Sequence, residues 1–307
     1  HPVAHSFPTR RSSDLVPAST IDERGRNNWL DSRKSAQVGR VLELTSEGEL
    51  NQMALILDVN YRIGKDGSIQ ASYTWNRSRD NSSYNCCVAN TSTFLPVKDD
   101  PRALNWGFSD NHFDNKLVVN FLSPTFYGFN VGATVVGIGG TRYSFHAAGS
   151  GSSLNGDFNL RNDMAFVFDP NDPATPENIR EGIQGILDDP ETMESTKEYL
   201  RNNFGRIADR NAGVNPFFAT MDLRILKKVK LAGDHALEFS ADMFNFTNFL
   251  DRDWGADNNL GRRRNLLQIT GFDQESQTYQ YDVQSGVGTR PINGTPWRLQ
   301  LGMRYTF

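Results

Sequence analysis

The chain has 307 residues, 37% of them hydrophobic, with a mean hydropathy of -0.54 and a formal net charge of -4. It contains no apolar run long enough for a transmembrane helix, and its mild acidity argues against a general nucleic-acid partner. The two cysteines, Cys86 and Cys87, are adjacent, which excludes a disulfide framework and a metal-ligand spacing. A strained vicinal disulfide, pairing elsewhere, or free thiols all stay open for them.

Residues 1–15 include HSFPTRRSSDL, which has no apolar segment of the signal-peptide kind. In one reading frame these letters resemble a translated sequencing-library adapter. The stretch is expected to be a non-native scar on a chain whose natural start lies upstream; a disordered basic tail is the alternative. Residues 16–36 are polar and irregular. A strand is predicted over 38–45, then a tight turn over 46–49. The clearest internal strand spans 50–63: Met53, Leu55, Leu57, Val59, Tyr61 and Ile63 point one way, and Ala54, Ile56, Asp58, Asn60 and Arg62 the other. Lys65-Asp66-Gly67 is a hairpin signal, and a second amphipathic strand follows over 69–76.

A polar loop covers 77–112, a strand 117–121 and a turn 123–128. The next strand runs from 129 to about 145, loosened by glycines. Residues 146–214 form the longest excursion and hold the helical patterns, 177–187 and 191–204, divided by Pro190 and opened by Pro176. Strands resume at 218–228 and 237–246, around a Gly233-Asp234 turn. A polar loop spans 249–264, and two weaker strands, 266–272 and 277–283, are joined by 273–276.

The closing strand, 297–307, alternates strictly. Trp297, Leu299, Leu301, Met303, Tyr305 and Phe307 form one set; Arg298, Gln300, Gly302, Arg304 and Thr306 form the other. An aromatic last residue on an uninterrupted apolar face inverts the habit of soluble termini and suits an outer face solvated by lipid. The connections alternate too. The short ones, 64–67, 123–128, 231–234 and 273–276, fall at one end. The long ones, 77–112, 146–214, 249–264 and 284–295, fall at the other, with 46–49 a short exception. The predicted fold is all-β: an antiparallel transmembrane β-barrel, partial, with about ten C-terminal strands and a helical extracellular insertion over 146–214. The alternatives are a passive porin, an adhesin-type barrel, or a soluble β-rich binding domain.

The ending WRLQLGMRYTF, the segment LEFSADMFNFTNFLDRDWG (237–255) and the loop RSRDNSSYNCCVAN (77–90) resemble TonB-dependent outer-membrane receptors, nearest to the Oar-like group with its carboxypeptidase-regulatory-like domain. The resemblance covers most of 16–307. It implies active transport across the outer membrane of a Gram-negative bacterium, through a barrel of about 22 strands around an N-terminal plug. The implied partners are the TonB complex acting through that plug, the barrel-assembly machinery, the lipid bilayer and a transported ligand. This chain carries neither plug nor TonB box, so it corresponds to the C-terminal barrel. The resemblance also marks Tyr305 and Phe307 as the assembly signal.

Eight charged residues fall on the predicted polar face: Asp58, Arg62, Asp222, Arg224, Glu238, Asp242, Arg298 and Arg304. They would face the lumen, as contacts for plug or ligand or as a charge ladder that solvates a wet interior. Asn155, Asp157, Asn159, Asn162 and Asp163 alternate oxygen side chains in a loop, a pattern able to ligate calcium. Arg161 interrupts that pattern and the turn glycine is absent, so a solvated Asn/Asp turn stands beside the calcium reading, with Asp157, Asn159 and Asp163 as the candidate ligands. No other cofactor is expected. No catalytic triad, supported carboxylate pair or phosphate-binding glycine loop occurs, so no enzymatic activity is expected.

Overall fold

The computed structural model describes residues 46–83, 95–98, 103–148, 154, 162–256, 259–271, 273, 275, 278–289 and 296–307, and the backbone alone at 3–7, 17–21, 27–29, 41–45, 149 and 272. In chain order the strands begin with β1 (Val3–Phe7), β2 (Pro17–Ile21), β3 (Asn27–Trp29), β4 (Val41–Thr45), β5 (Leu50–Ile63), β6 (Gly67–Asp80) and β7 (Gly107–Phe108). Then come β8 (Asn115–Leu122), β9 (Phe129–Gly139), β10 (Arg142–Gly149), β11 (Phe166–Val167) and helices α1 (Glu177–Asp188) and α2 (Glu194–Asn203). The rest are β12 (Arg206–Ile207), β13 (Gly213–Val214), β14 (Phe218–Lys230), β15 (Ala236–Phe244), α3 (Phe246–Leu250), β16 (Arg263–Asp273), β17 (Thr278–Val283) and β18 (Arg298–Thr306).

The framework is one antiparallel sheet in the order β18-β15-β14-β9-β8-β6-β5, with β7 paired to the far end of β6. Strands adjacent in the sheet are joined at one end by turns at 64–66, 123–128 and 231–235. At the opposite end the connections are long: 81–114, 140–217 and 245–297. The fold class expected from the sequence holds, with three changes of membership. Val41–Thr45 pairs with Val3–Phe7 rather than with β5. The strand expected from 129 to about 145 breaks at Gly140, whose φ is +73 and whose α-carbon lies against the Asp114 carboxylate. A side chain there would meet both a strained backbone and that carboxylate, so glycine sets the corner at which β9 leaves the wall and β10 begins.

The third change concerns 266–272 and 277–283, expected as wall strands joined by a turn at the short-turn end. They do form a hairpin, β16-β17, but β18 pairs directly with β15 and leaves no place for it in the wall. It joins a second sheet, β13-β10-β16-β17, in which β10 and β16 run parallel. The physical reason is burial on both faces: the consecutive Leu266 and Leu267 are both fully buried. A wall strand keeps one face on the lipid side, so two adjacent buried leucines fit a covered sheet instead.

This second sheet and both long helices form a folded cap with its own core. Ile179, Ile183 and Ile186 line one stripe of α1 at helical spacing, and Tyr199 and Leu200 of α2 join Tyr143, Phe145 and Ala147 of β10. Tyr143, Phe145 and Tyr199 meet at ring separations of 4.9–6.0 Å. Burial pushes the Tyr143 phenol up to about 12 and raises that of Tyr199 further. Each fully buried aliphatic side chain contributes roughly 1.5–3 kcal/mol. The helical expectation was close: α1 matches 177–187, and α2 starts later than 191 because Pro190 sits in a turn closed by the Thr192 N–H on the Asp189 carbonyl.

Leu267→Ala is expected to cost about 2–5 kcal/mol in cap stability. Hydrogen exchange should show protection lost across β10, β16 and α1 while β14 and β15 stay protected. Unchanged cap protection would contradict the placement of this hairpin.

Candidate functional site: a two-faced wall beneath a latched cap

Cross-strand register sorts the wall into two faces. One row crosses all seven long strands as Arg62, Ser68, Leu122, Gly132, Arg224, Asp242 and Gln300. A neighbouring row runs Asn60, Gln70, Asn120, Thr134, Asp222. All eight charged candidates fall on this face. Arg224 Nε lies 3.4 Å from Asp242 Oδ1, and Arg304 lies 3.8 Å from Glu238. Asp222 accepts a hydrogen bond from the Asn245 backbone N–H at 2.8 Å, and Arg298 lies 5.7 Å from the centre of the Phe244 ring. Asp58 faces Ser72. Both ion pairs have an exposed arginine, so each contributes about 0–1 kcal/mol. They set the local charge pattern rather than the stability of the sheet.

The opposite face is apolar through its middle rows, with Arg77, Asn115 and Lys227 falling on it towards the strand ends. Its central row is Tyr61, Ile69, Phe121, Ala133, Leu223, Met243 and Leu299. Next to it run Val59, Ala71, Val119, Val135 and Met221. Many of these side chains stay exposed on the sheet, Leu301 at 74% and Met303 at 71%. So broad an apolar surface needs an apolar solvent or partner. Exposed aromatics gather at both ends of it. Trp297 and Phe249 meet edge to face at 5.2 Å at the long-loop end, near the exposed Trp254. Phe126, Tyr127, Phe129, Tyr305 and Phe307 crowd the short-turn end. There Tyr305 hydrogen-bonds His235 Nδ1 at 2.8 Å, and Lys227 Nζ sits 4.0 Å from the Phe129 ring centre. Rings of this kind favour the two boundaries of a bilayer.

The cap is fastened to the wall by a buried ionic cluster. The Arg210 guanidinium, 1% exposed, bonds the carboxylate and the carbonyl of Asp80, the last residue of β6. It also donates to Ser83 Oγ at 2.9 Å and to the Asn105 carbonyl at 3.2 Å, and lies 3.8 Å from Asp110. Asn211, left-handed at φ 59, donates from Nδ2 to Asp110 at 2.7 Å and to the Phe108 carbonyl at 2.8 Å. Its backbone N–H donates to Ser144 Oγ at 2.8 Å, which ties the loop to β10. A second unit stands at the corner of β8. His112 Nδ1 accepts from the Ser78 N–H at 3.0 Å, so the proton of the neutral ring sits on Nε2 and is donated to Asp114 at 2.8 Å. Arg142 donates to both Asp114 oxygens at 2.9 and 3.0 Å and stacks 4.0 Å over Phe108. Burial opposes ionisation of Asp114, but the His112 hydrogen bond and the Arg142 charge prevail and hold its carboxyl below the usual range.

Other predicted residues fare differently. Asp163 is buried and its Oδ2 accepts from the Leu154 N–H at 2.8 Å, inside the cap. Asp157 and Asn159, the other calcium candidates, lie outside the described residues, as do Cys86 and Cys87. Among the described residues no cluster of three or more metal-ligating side chains occurs. The latch was not foreseen. Arg210 and Asp80 are 130 residues apart and both sit in polar stretches that read as solvated loop. Only the left-handed preference of Asn211 offered a local signal.

Arg210→Met removes the cation and leaves two buried carboxylates unpaired, at a cost of about 3–5 kcal/mol. Limited proteolysis should then cleave the loop at 204–216 while β14 and β15 resist; an unchanged digest would remove the latch role. The Asp114 unit predicts an acid limit. Its folded pKa is below the ordinary 3.8, so its stabilisation is full above that value and is lost as pH falls through the folded value. Asp114→Asn should flatten this acid limb in a pH series of cap unfolding; an unaltered limb would assign it to another group.

The family described as outer membrane beta barrel domain matches residues 10–281, most of the chain, from within the expected scar into β17. No curated protein and no solved structure matches. With one apolar and one polar face on an antiparallel wall, short turns at one end and a folded cap at the other, the chain belongs to the outer-membrane β-barrel domain family.

Proposed function

We propose that this chain is the C-terminal barrel portion of a TonB-dependent, Oar-like active transporter, and that it carries ligand rather than performing chemistry. The observation that carries the reading is the wall itself. Its two outer strands, β5 and β18, each pair on one side only among the described residues, so the sheet is a sector of a wider cylinder. Eight strands already close a barrel filled by its own side chains, and a plugged transporter needs many more. The mixed charges of the polar face, Arg62, Arg224, Asp242 and Arg304 among them, suit a water-filled interior that a plug can contact. The family-like ending on β18 and the Phe246–Leu250 segment support the same assignment.

The natural protein in planar bilayers tests this reading. A plugged transporter passes no steady current, whereas a steady ohmic conductance would favour a passive porin. The contiguous upstream coding sequence separates the two independently, through a plug with a TonB box or a bare barrel.

Phe307 and Tyr305 are assigned to assembly. Phe307 is 87% exposed beside β18, whose outer edge has no partner among the described residues, the geometry that strand addition uses. Deleting Phe307 removes at most about 1.5–3 kcal/mol of burial, so folding in detergent should survive. Surface levels in cells should fall sharply; normal levels would refute the assembly role.

A further inference from the structure

The cap carries a cleft of about 260 Å³ between the C-terminal half of α1 and the segment after β17. Glu181 and Asp189 supply carboxylates to its lining, Ile186 and Val283 supply apolar walls, and among the described residues no basic side chain lines it. Among the described residues neither carboxylate has a salt bridge. The end of α1 sharpens this imbalance. Helix C-termini carry a partial negative charge that basic residues ordinarily offset. The last turn of α1 has none, and Asp188 and Asp189 stand there instead. The surrounding surface has the same sign: residues 169–198 hold nine carboxylates and two basic side chains, in a chain whose net charge is only -4.

One further feature bears on the cleft, the glycine at 185. A side chain at Gly182 would collide with Val283, so packing explains that glycine. A side chain at Gly185 would meet nothing within 4 Å. Glycine inside a helix is destabilising relative to almost any other residue, and neither backbone nor packing requires it at 185. Its effect is to leave the cleft open.

We propose that this cleft binds a small organic cation, an amine or guanidinium compound, as a capture site on the cap. The volume far exceeds that of a metal ion, and the walls suit a short hydrocarbon chain between cationic ends. Glu181 and the C-cap residue Asp189 are eight residues apart, which spaces their α-carbons by about 12 Å along the helix axis. The outward position of the site rests on the barrel topology, but the binding itself does not depend on TonB coupling.

Calorimetric titration of the full chain in detergent micelles tests this with three five-carbon probes: cadaverine, 1,5-pentanediol and glutarate. Cadaverine should bind saturably and more weakly as salt is added, while the diol and the dicarboxylate should not bind. Glu181→Gln with Asp189→Asn should weaken cadaverine about tenfold, a loss of about 1.4 kcal/mol. Gly185→Leu should abolish binding by filling the cleft, while circular dichroism stays unchanged because leucine favours helix. The exposed Glu181→Gln change alone supplies a variant with little risk to folding. Equal binding of the diol, calcium binding in place of cadaverine, no cadaverine binding, or full affinity in these variants would each overturn the proposal.

Discussion

Lipid offers no hydrogen bonds, so every backbone N–H and C=O at membrane depth must be paired within the protein. That requirement explains the long ladders that run from β5 through β6, β8, β9, β14 and β15 to β18. A continuous ladder fixes register, and register fixes the faces. A slip of one residue at β14 would turn Leu223 inward and Arg224 outward, exchanging a whole row at once. The same ladder decides which segments stay out of the wall. Once β18 occupies the edge of β15, the chain from 245 to 297 has to leave the sheet, and it contributes α3 and a hairpin elsewhere.

The cap follows a different rule. Its core is conventional, with β16 covered on both faces at Leu266 and Leu267 and α1 packed by one isoleucine stripe. Its attachment is ionic and buried. Replacing a buried ion pair with apolar groups is often neutral for stability, but breaking one is costly, so such a cluster fixes a single geometry more than it adds net stability. Arg210 reaches Asp80 on the wall, Asn105 and Asp110, and Asn211 bridges to β10. The cap is thereby joined to the end of β6 through groups that tolerate little displacement. Its outer surface, with the open cleft beside α1, remains available to solvent.

The sequence made the wall legible because its signal is local. Period-two alternation at 50–63, 218–228 and 297–307 needs no knowledge of distant residues, and the short turns follow from Asp66-Gly67 and Gly233-Asp234. The same logic placed all eight charged candidates on the polar face. It failed where pairing is non-local. The parallel contact of β10 with β16 joins segments separated by the β14-β15 hairpin, and no local pattern announces it. The 266–283 hairpin alternates well enough to pass for wall; the adjacent Leu266 and Leu267 were the one sign against it. The latch was silent for the same reason, because Arg210 gains its meaning only from Asp80 and Asp110.

The central claim is that the row through Leu223 faces lipid and the row through Arg224 faces water. The most direct measurement is a spin-label scan of 220–225 on β14, in the barrel reconstituted into liposomes with Cys86 and Cys87 replaced by serine. Labels at 221, 223 and 225 should be relaxed most by oxygen, which partitions into lipid, and labels at 220, 222 and 224 by a water-soluble nickel chelate. The opposite phase, or no alternation at all, would contradict the account.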